Sequence, residues 1–527
     1  MTGISMQDPP RAYQGSTIAD LYRSAFQAFA GREALVGGGV RLTYQALAAS
    51  CHRIARHYVA LGLRRQDGIA VLTANRPESV AAMIAAHLLG LRYTALHPMA
   101  SAEDQLFVLR DAGIRALIID TPRFAERGAA LAAAGVVDFV MTLGAAGFGT
   151  DLLAASASLD GSDANHEVLP GDIFKIGYTG GTTGRPKGVV HHHRTAVTMA
   201  LQQLAGWEWP GQTRFLAATP VSHAAGAMIL TTFLRGGTVC LLDKYEPAAF
   251  LRMVQEERIT STFLVPTQIY GLLDYPQLAD YDTSSLELVL YGAAPMAPAR
   301  LTQALERFGP VFAQIYGQAE APMTISYLRR DEHDFARAHL LGSAGRVLPG
   351  NQVRLLDNAL REVAPGEIGE VCVRGPLVMS GYHNRLEESE KAMAGGWLHT
   401  GDLARCDAAG YLYLVDRAKD MIISGGFNVF SSEVEGCLAQ HPAVAVSAVI
   451  GMPDAKWGEA VMAVVVTKDG AMVSAGELMA FVSARKGVVN APKHVEFVAE
   501  LPMTPLGKLD KKALRSKYWH DQSRQIS

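Results

Sequence analysis

The chain has 527 residues, 49% of them hydrophobic and 19% charged, more than one ordinary core holds, so two or more packing units of a globular protein are expected. Lys plus Arg number 48 against 51 Asp plus Glu, a formal net charge of -3. That balance leaves no electrostatic footprint for nucleic acid and no polybasic membrane anchor. The five cysteines (Cys51, Cys240, Cys372, Cys406 and Cys437) are scattered without a CxxC pair. Their spacing argues against a disulfide framework and a structural zinc site, and fits reduced thiols in a cytoplasm. The stretch MTGISMQDPPRAYQG has no basic-then-apolar leader pattern, and the most apolar helical run, Ser79 to Leu91, contains His87 and is too short for a bilayer. No transmembrane segment is expected.

Strands and helices alternate through the first third. Gly68–Thr73 reads as a buried strand, and Pro77–Leu91 as a helix with proline in its first turn. Ala116–Asp120 and Val136–Leu143 read as further buried strands, an alternation that predicts parallel βαβ units in a layered α/β fold. Gly144 to His166, rich in Gly, Ala, Ser and Asp, reads as a surface connection. Asp172–Tyr178 is a strand running into a Gly/Thr cluster, and Thr262–Val265 and Leu286–Leu290 continue the α/β rhythm. Beyond about residue 345 the pattern becomes short alternating strands: Gln352–Leu356, Gly369–Arg374 and Tyr411–Val415. The last segment, from about Asp416, has its own signals, with Ser432-Glu433-Val434-Glu435 fitting a capping box ahead of an apolar face on Val434 and Leu438.

The stretch Tyr178-Thr179-Gly180-Gly181-Thr182-Thr183-Gly184-Arg185-Pro186-Lys187-Gly188 carries the most chemistry. Glycines let backbone N–H groups approach an anion, threonine hydroxyls add donors, and Lys187 adds positive charge, which are the parts a triphosphate needs. It is not a Walker loop, since proline precedes the lysine and no hydroxyl residue follows it. A flexible turn is the plain alternative for any Gly/Thr cluster, but the composition and the preceding strand favour phosphate binding. His191-His192-His193 looks like a metal cluster, yet adjacent residues cannot converge on one ion and no carboxylate or cysteine is spaced nearby, so it reads as a helix entry.

Five further stretches stand in order: Tyr291-Gly292-Ala293-Ala294-Pro295, Gln314-Ile315-Tyr316-Gly317-Gln318-Ala319-Glu320, His399-Thr400-Gly401-Asp402, Asp416-Arg417-Ala418-Lys419-Asp420 with Gly425-Gly426-Phe427-Asn428, and Pro505-Leu506-Gly507-Lys508. Together with the phosphate loop they resemble the adenylate-forming superfamily of acyl-CoA synthetases, adenylation domains and luciferases, from about residue 30 to 520. The resemblance implies an α/β fold: a large N-terminal body, residues 1–416, of layered parallel sheets with a small β-barrel-like subdomain, and a small mobile α+β C-terminal domain, residues 417–527. It implies that Thr179, Gly180, Gly181, Thr182, Thr183, Gly184 and Lys187 cradle the ATP phosphates. Tyr316 would stack on adenine with Gly292, Ala293 and Ala294 as the opposite wall, Glu320 would help hold Mg²⁺, and Asp402, assisted by Arg417, would accept from the ribose. Lys508 would neutralise charge during adenylation, Lys419 would be the hinge, and Gly425 and Gly426 would line the path of coenzyme A. Two departures, Gly180 where serine is common and Ala319 where threonine is common, remove hydroxyl donors but no charge.

The region Thr219 to Gly226 contains no acidic residue, which disfavours an amino acid whose buried ammonium would lack a counter-charge. His223 resembles the aromatic gate between acyl pocket and pantetheine tunnel, and Tyr270, Tyr291, Gly317 and Met323 are the expected lining. The implied activity is ATP- and Mg²⁺-dependent adenylation of a carboxylic acid with an uncharged tail, aryl or medium-chain alkyl, then transfer to coenzyme A. A carrier-protein acceptor, a luciferase-type oxygenase and a non-catalytic nucleotide-binding protein are the alternatives; retention of Glu320, Asp402, Arg417 and Lys508 argues against the last. The oligomeric state is open, a homodimer included.

Overall fold

The computed structural model describes residues 15–179, 185–454, 456–468, 470–503 and 509–519. Two large sheets form the N-terminal domain. In the seven-stranded sheet, Gly68–Leu72 lies between Arg92–Ala95 and Ile114–Ile119, all parallel, and the far edge is the antiparallel pair Ile173–Thr179 and Lys187–His192. In the nine-stranded sheet, Arg214–Ala217, Ser261–Leu264, Leu288–Tyr291 and Phe312–Gln318 run parallel, and Ala321–Leu328 turns back antiparallel.

Local sequence accounts for these elements. Gly68–Leu72 is buried along its whole length, as a parallel strand covered on both faces must be. The helix Pro77–Leu88 is buried on every residue but Glu78, because it packs between layers rather than against solvent. Full burial of Val80, Ile84 and Leu88 contributes about 2 kcal/mol apiece. This helix stops short of Leu91: Gly90 takes φ +64° and the Leu91 amide turns back to the Ala86 carbonyl. The stretch from 144 to 166 is not wholly irregular, since Thr150–Asp151 joins the sheet edge and the Asp151 carboxylate caps a short helix, Leu152–Ser156.

Past residue 350, Gln352–Leu356, Gly369–Arg374, Leu398–Cys406 and Leu412–Arg417 form a four-stranded antiparallel meander, which is the form the small β unit takes. The smaller C-terminal domain has a five-stranded sheet built on the hairpin Val444–Asp454 and Gly458–Thr467, with a core of its own around Ile422, Val434, Val449 and Val461. Its first helix, Ser431–Leu438, buries Val434 and Leu438 as read, but no side chain caps it. Ser432 Oγ donates instead to the Val415 carbonyl, and Glu435 is taken by the Val449 amide at 2.7 Å and by Lys511 at 2.7 Å. Tertiary partners therefore claimed both side chains of the expected capping box.

Candidate active site

Thr179, the last described residue before the Gly/Thr cluster, pairs with Lys187 in the edge pair of the seven-stranded sheet. Gly180, Gly181, Thr182, Thr183 and Gly184 lie outside the described residues. Lys187 is described, and its ammonium sits 5.1 Å from the centre of the Tyr382 ring. Gly188 has to be glycine: a Cβ there would come within 2.8 Å of Ile176 and 3.0 Å of the Tyr178 ring. The three histidines diverge. His191 Nε2 meets the Ala319 carbonyl at 2.7 Å, His192 Nδ1 meets the Gly171 carbonyl at 2.6 Å, and His193 opens the helix His193–Gly206 inside the core.

The residues expected at the nucleotide come from the nine-stranded sheet and the meander. Phe312–Gln318 places Tyr316 in the nine-stranded sheet opposite Ser326, and the strand is irregular between Tyr316 and Gln318. Gly317 is required there, because a Cβ would fall 2.2 Å from the Met323 amide of the returning strand. The Tyr316 hydroxyl donates to Asp402 Oδ2 at 2.8 Å, and Arg417 Nε reaches Asp402 Oδ1 at 3.1 Å. Each carboxylate oxygen keeps a second lone pair, which is what ribose hydroxyls need. Burial and the Asp402 charge hold the Tyr316 phenol well above its ordinary range, so it stays a donor. Gly292 lies against the same strand, where a Cβ would meet the Ile315 carbonyl at 2.4 Å; Ala293 follows with φ +67°, and Ala294 is half-buried.

A second network fixes the irregular stretch of the strand Leu398–Cys406 that carries Asp402. Glu370 accepts the Gly401 amide at 2.8 Å and meets His399 Nδ1 at 2.7 Å, while Thr400 Oγ1 donates to the Val371 carbonyl at 2.7 Å. Cys372 Sγ lies 3.4 Å from the same His399 nitrogen, so Glu370, Cys372 and His399 form a three-residue cluster of metal-ligating types that the linear spacing does not reveal. Burial, then the Glu370 charge, pushes the Cys372 thiol up to about 12, which leaves it a poor thiolate ligand.

Glu320 stands at the turn between Phe312–Gln318 and Ala321–Leu328. The Tyr382 hydroxyl donates to Glu320 Oε1 at 2.8 Å, and among the described residues nothing bonds Oε2. A hard carboxylate oxygen left open, on a glutamate held by the tyrosine whose ring also faces Lys187, fits Mg²⁺, which takes one or two carboxylates and completes its shell with phosphate and water. Tyr382 has no signal in the sequence reading, yet it touches both charged groups.

His223, the expected gate, meets Ser222 Oγ through Nδ1 at 2.7 Å, and its ring packs edge-on against His97 with centroids 5.0 Å apart. Asn75, also missed, holds this segment. Its amide Nδ2 faces the carbonyls of Ala217, Thr219 and Leu242 at 3.1, 3.0 and 3.0 Å, and its Oδ1 accepts the Val221 amide at 2.8 Å. The expected lining is not all brought together. Tyr291 lies wholly inside a core that includes Leu216, Phe250 and Phe312, its hydroxyl shared between Gln314 and His333 at 3.1 and 3.0 Å, and offers no ligand surface. Tyr270 is half-buried and accepts the Ala297 amide at 2.9 Å. Met323 is buried at φ +60°, with its sulfur 3.9 Å from Gln203 Nε2.

In the C-terminal domain, Gly425 (φ +61°) and Gly426 (φ +82°) form the two-residue turn between Ile422–Ser424 and Phe427–Val429, a turn with two positive φ angles that suits glycine. A Cβ on Gly425 would strike the Trp457 ring at 2.6 Å, and the Gly425 amide bonds the Trp457 carbonyl at 2.8 Å. That indole carries Lys456 and Lys493 ammonium groups 4.7 and 5.9 Å from its ring centre. Burial and the Arg417 charge pull Lys419 below its usual range. Lys508 lies outside the described residues. Three positions later, Lys511 bonds Ser431 Oγ at 2.7 Å and Glu435 at 2.7 Å, and Asp416 accepts Ser431 N and Oγ at 2.5 and 2.8 Å.

Comparison with known proteins agrees with this geometry. The AMP-binding enzyme profile matches residues 22–383, and the AMP-binding enzyme C-terminal domain profile matches residues 433–508. The chain belongs to the AMP-binding enzyme family and is an enzyme of the AMP-forming acyl-CoA synthetase class. It is 46% identical over 506 residues to the medium/long-chain-fatty-acid–CoA ligase FadD8 of Mycobacterium tuberculosis, covering 93% of this chain and 88% of that one. It is 37% identical over 486 residues to a feruloyl-CoA synthase of Amycolatopsis, covering 91% and 95%. The crystal structure of ATP-bound MatB from Rhodopseudomonas palustris superposes with a TM-score of 0.87 at 30% identity, covering 95% and 99%. Among the described residues no helix is long and apolar enough to cross a membrane.

Proposed function

We propose that this enzyme activates an apolar monocarboxylic acid, a medium- to long-chain fatty acid or an aryl acid, as its adenylate and hands the acyl group to coenzyme A. The observation that carries the reading is two charged sets linked through the strand Phe312–Gln318, which carries Tyr316, and the turn after it, which carries Glu320. Lys187, Tyr382 and Glu320 suit the phosphate end of ATP, and Tyr316, Asp402 and Arg417 suit its nucleoside end. A carboxylate oxygen attacks the α-phosphorus, the bond to pyrophosphate breaks, and the negative charge that accumulates calls for fixed cations rather than proton transfer. Lys187 and Lys508 supply that charge from the chain. Mg²⁺, held through Glu320, would supply further neutralisation of the departing pyrophosphate. Thiol attack on the acyl carbon then expels AMP and sheds the thiol proton.

No carboxylate occurs from Thr219 to Gly226 to pair with a charged tail, and the two relatives are a fatty-acid ligase and a feruloyl-CoA synthase. Free coenzyme A is favoured over a carrier protein by Trp457, an indole flanked by Lys456 and Lys493 beside Gly425, which suits an adenine bearing phosphates. The small domain, with its boundary near residues 416 and 417, would turn at Lys419 between the two half-reactions. Five cysteines without a disulfide suit a reducing, cytoplasmic setting. Pyrophosphate release across fatty, aryl and amino acids, with and without coenzyme A, tests the proposal. Turnover confined to amino acids, or indifferent to coenzyme A, would refute it.

A further inference from the structure

Tyr382 belongs to the connection between the meander strands Gly369–Arg374 and Leu398–Cys406, yet its neighbours come from both large sheets. The backbone around it is stitched to the seven-stranded sheet: Val190 N donates to the Gly381 carbonyl at 3.1 Å, Ser380 N to the Val190 carbonyl at 3.0 Å, and His383 N to the Gly188 carbonyl at 2.7 Å. On its other side Met379 N donates to the Glu320 carbonyl at 2.7 Å, which fastens the same segment to the nine-stranded sheet. The tyrosine's own amide donates to Ser389 Oγ at 2.8 Å. The segment is thus a cross-tie, and its one aromatic side chain lies between the two charges that phosphate chemistry needs. The ring stands 5.1 Å from the Lys187 ammonium, and the hydroxyl stands 2.8 Å from Glu320 Oε1.

We propose that Tyr382 is the positioning residue of the metal–phosphate end of the site: its hydroxyl fixes the Glu320 carboxylate with one oxygen committed to the protein and the other left to the cation, while its ring seats Lys187. The proposal rests on the reading of Glu320 as the Mg²⁺ ligand. A carboxylate held by an outer hydrogen bond spends no torsional freedom on meeting a cation, and groups that orient metal ligands change metal affinity by about ten- to a hundredfold when removed. The ring acts separately, since the face of an aromatic ring attracts an ammonium group whether or not it bears a hydroxyl. A tyrosine that merely packed the connection would affect stability and leave metal affinity alone.

Mn²⁺ binding to the full chain, saturated with a non-hydrolysable ATP analogue and read by electron paramagnetic resonance, separates these roles. Tyr382→Phe keeps the ring and loses the hydroxyl; it is expected to weaken Mn²⁺ on the order of tenfold and leave metal-free nucleotide affinity unchanged. Tyr382→Leu is expected to weaken Mn²⁺ equally and to weaken metal-free nucleotide as well, because Lys187 loses its seat. Glu320→Gln is the reference. If it weakens Mn²⁺ while Tyr382→Phe does not, the positioning role is overturned and Glu320 stands. If Glu320→Gln leaves Mn²⁺ binding untouched, the metal reading of Glu320 fails and the proposal fails with it.

Discussion

Asn75 offers the sharpest test of how the acyl side is built. Its side chain is 7% exposed and satisfies four backbone groups of other strands and loops, all from Ala217 to Leu242. Truncation in Asn75→Ala does not orphan all four, because the Ala217 carbonyl keeps the Leu242 amide at 3.2 Å. The Thr219 and Leu242 carbonyls and the Val221 amide lose their partner. At the low end of about 1–3 kcal/mol per unsatisfied buried group, the variant should lose ~3 kcal/mol. A water in the vacated polar space would recover part of that. Asn75→Asp, nearly isosteric, should be worse at neutral pH, since it points a carboxylate at three carbonyls. Because the stretch that Asn75 holds leads into Ser222 and His223, KM for the acid should rise while KM for ATP holds. Denaturant unfolding and pyrophosphate-release kinetics read both effects. An Asn75→Ala protein within about 0.5 kcal/mol of the parent, with an unchanged acid KM, would refute the reasoning.

Lys508→Ala should cripple adenylation and spare thioester formation from pre-made acyl-adenylate; equal loss in both half-reactions would contradict the two-arrangement scheme. Trp457→Ala should raise KM for coenzyme A severalfold without moving that for ATP or acid, and an unmoved value would point to another acceptor. Acid should destabilise the fold early. Burial lowers His87 to about 3 and His191, His193 and His333 each to about 4, below the unfolded 6.5. The native state keeps these rings neutral while the unfolded chain takes up protons, so their stabilisation is present above about 6.5 and is lost as pH falls toward the folded values. Each should cost about 2 kcal/mol between pH 7 and pH 5, and His87→Phe should flatten the unfolding profile by one such share.

Short stretches were legible because several informative residues sit side by side: Tyr316 and Asp402 come from separate motifs and meet at 2.8 Å. Single residues with distant partners were not. Tyr382 bonds a glutamate 62 positions away, and Asn75 reaches segments 142 to 167 positions away, with nothing local to mark either. Tyr291 is among the expected lining, but the side a strand's last residue faces is set by the layers around it, and here that side is core. The capping box failed for a related reason, since a strand and a helix elsewhere in the chain outbid the local amides for Ser432 and Glu435.

The ties around Ser431 have a bearing on timing. Asp416 precedes Lys419 in the chain, whereas Ser431, Glu435 and Lys511 follow it. Any large turn at Lys419 therefore has to release Ser431 from Asp416, and Ser432 from the Val415 carbonyl, before the helix that follows Lys508 can travel. These contacts are largely shielded from solvent, so dissolved ions do little to loosen them. If the small domain turns at Lys419 as proposed, these contacts are a catch that must open before it does.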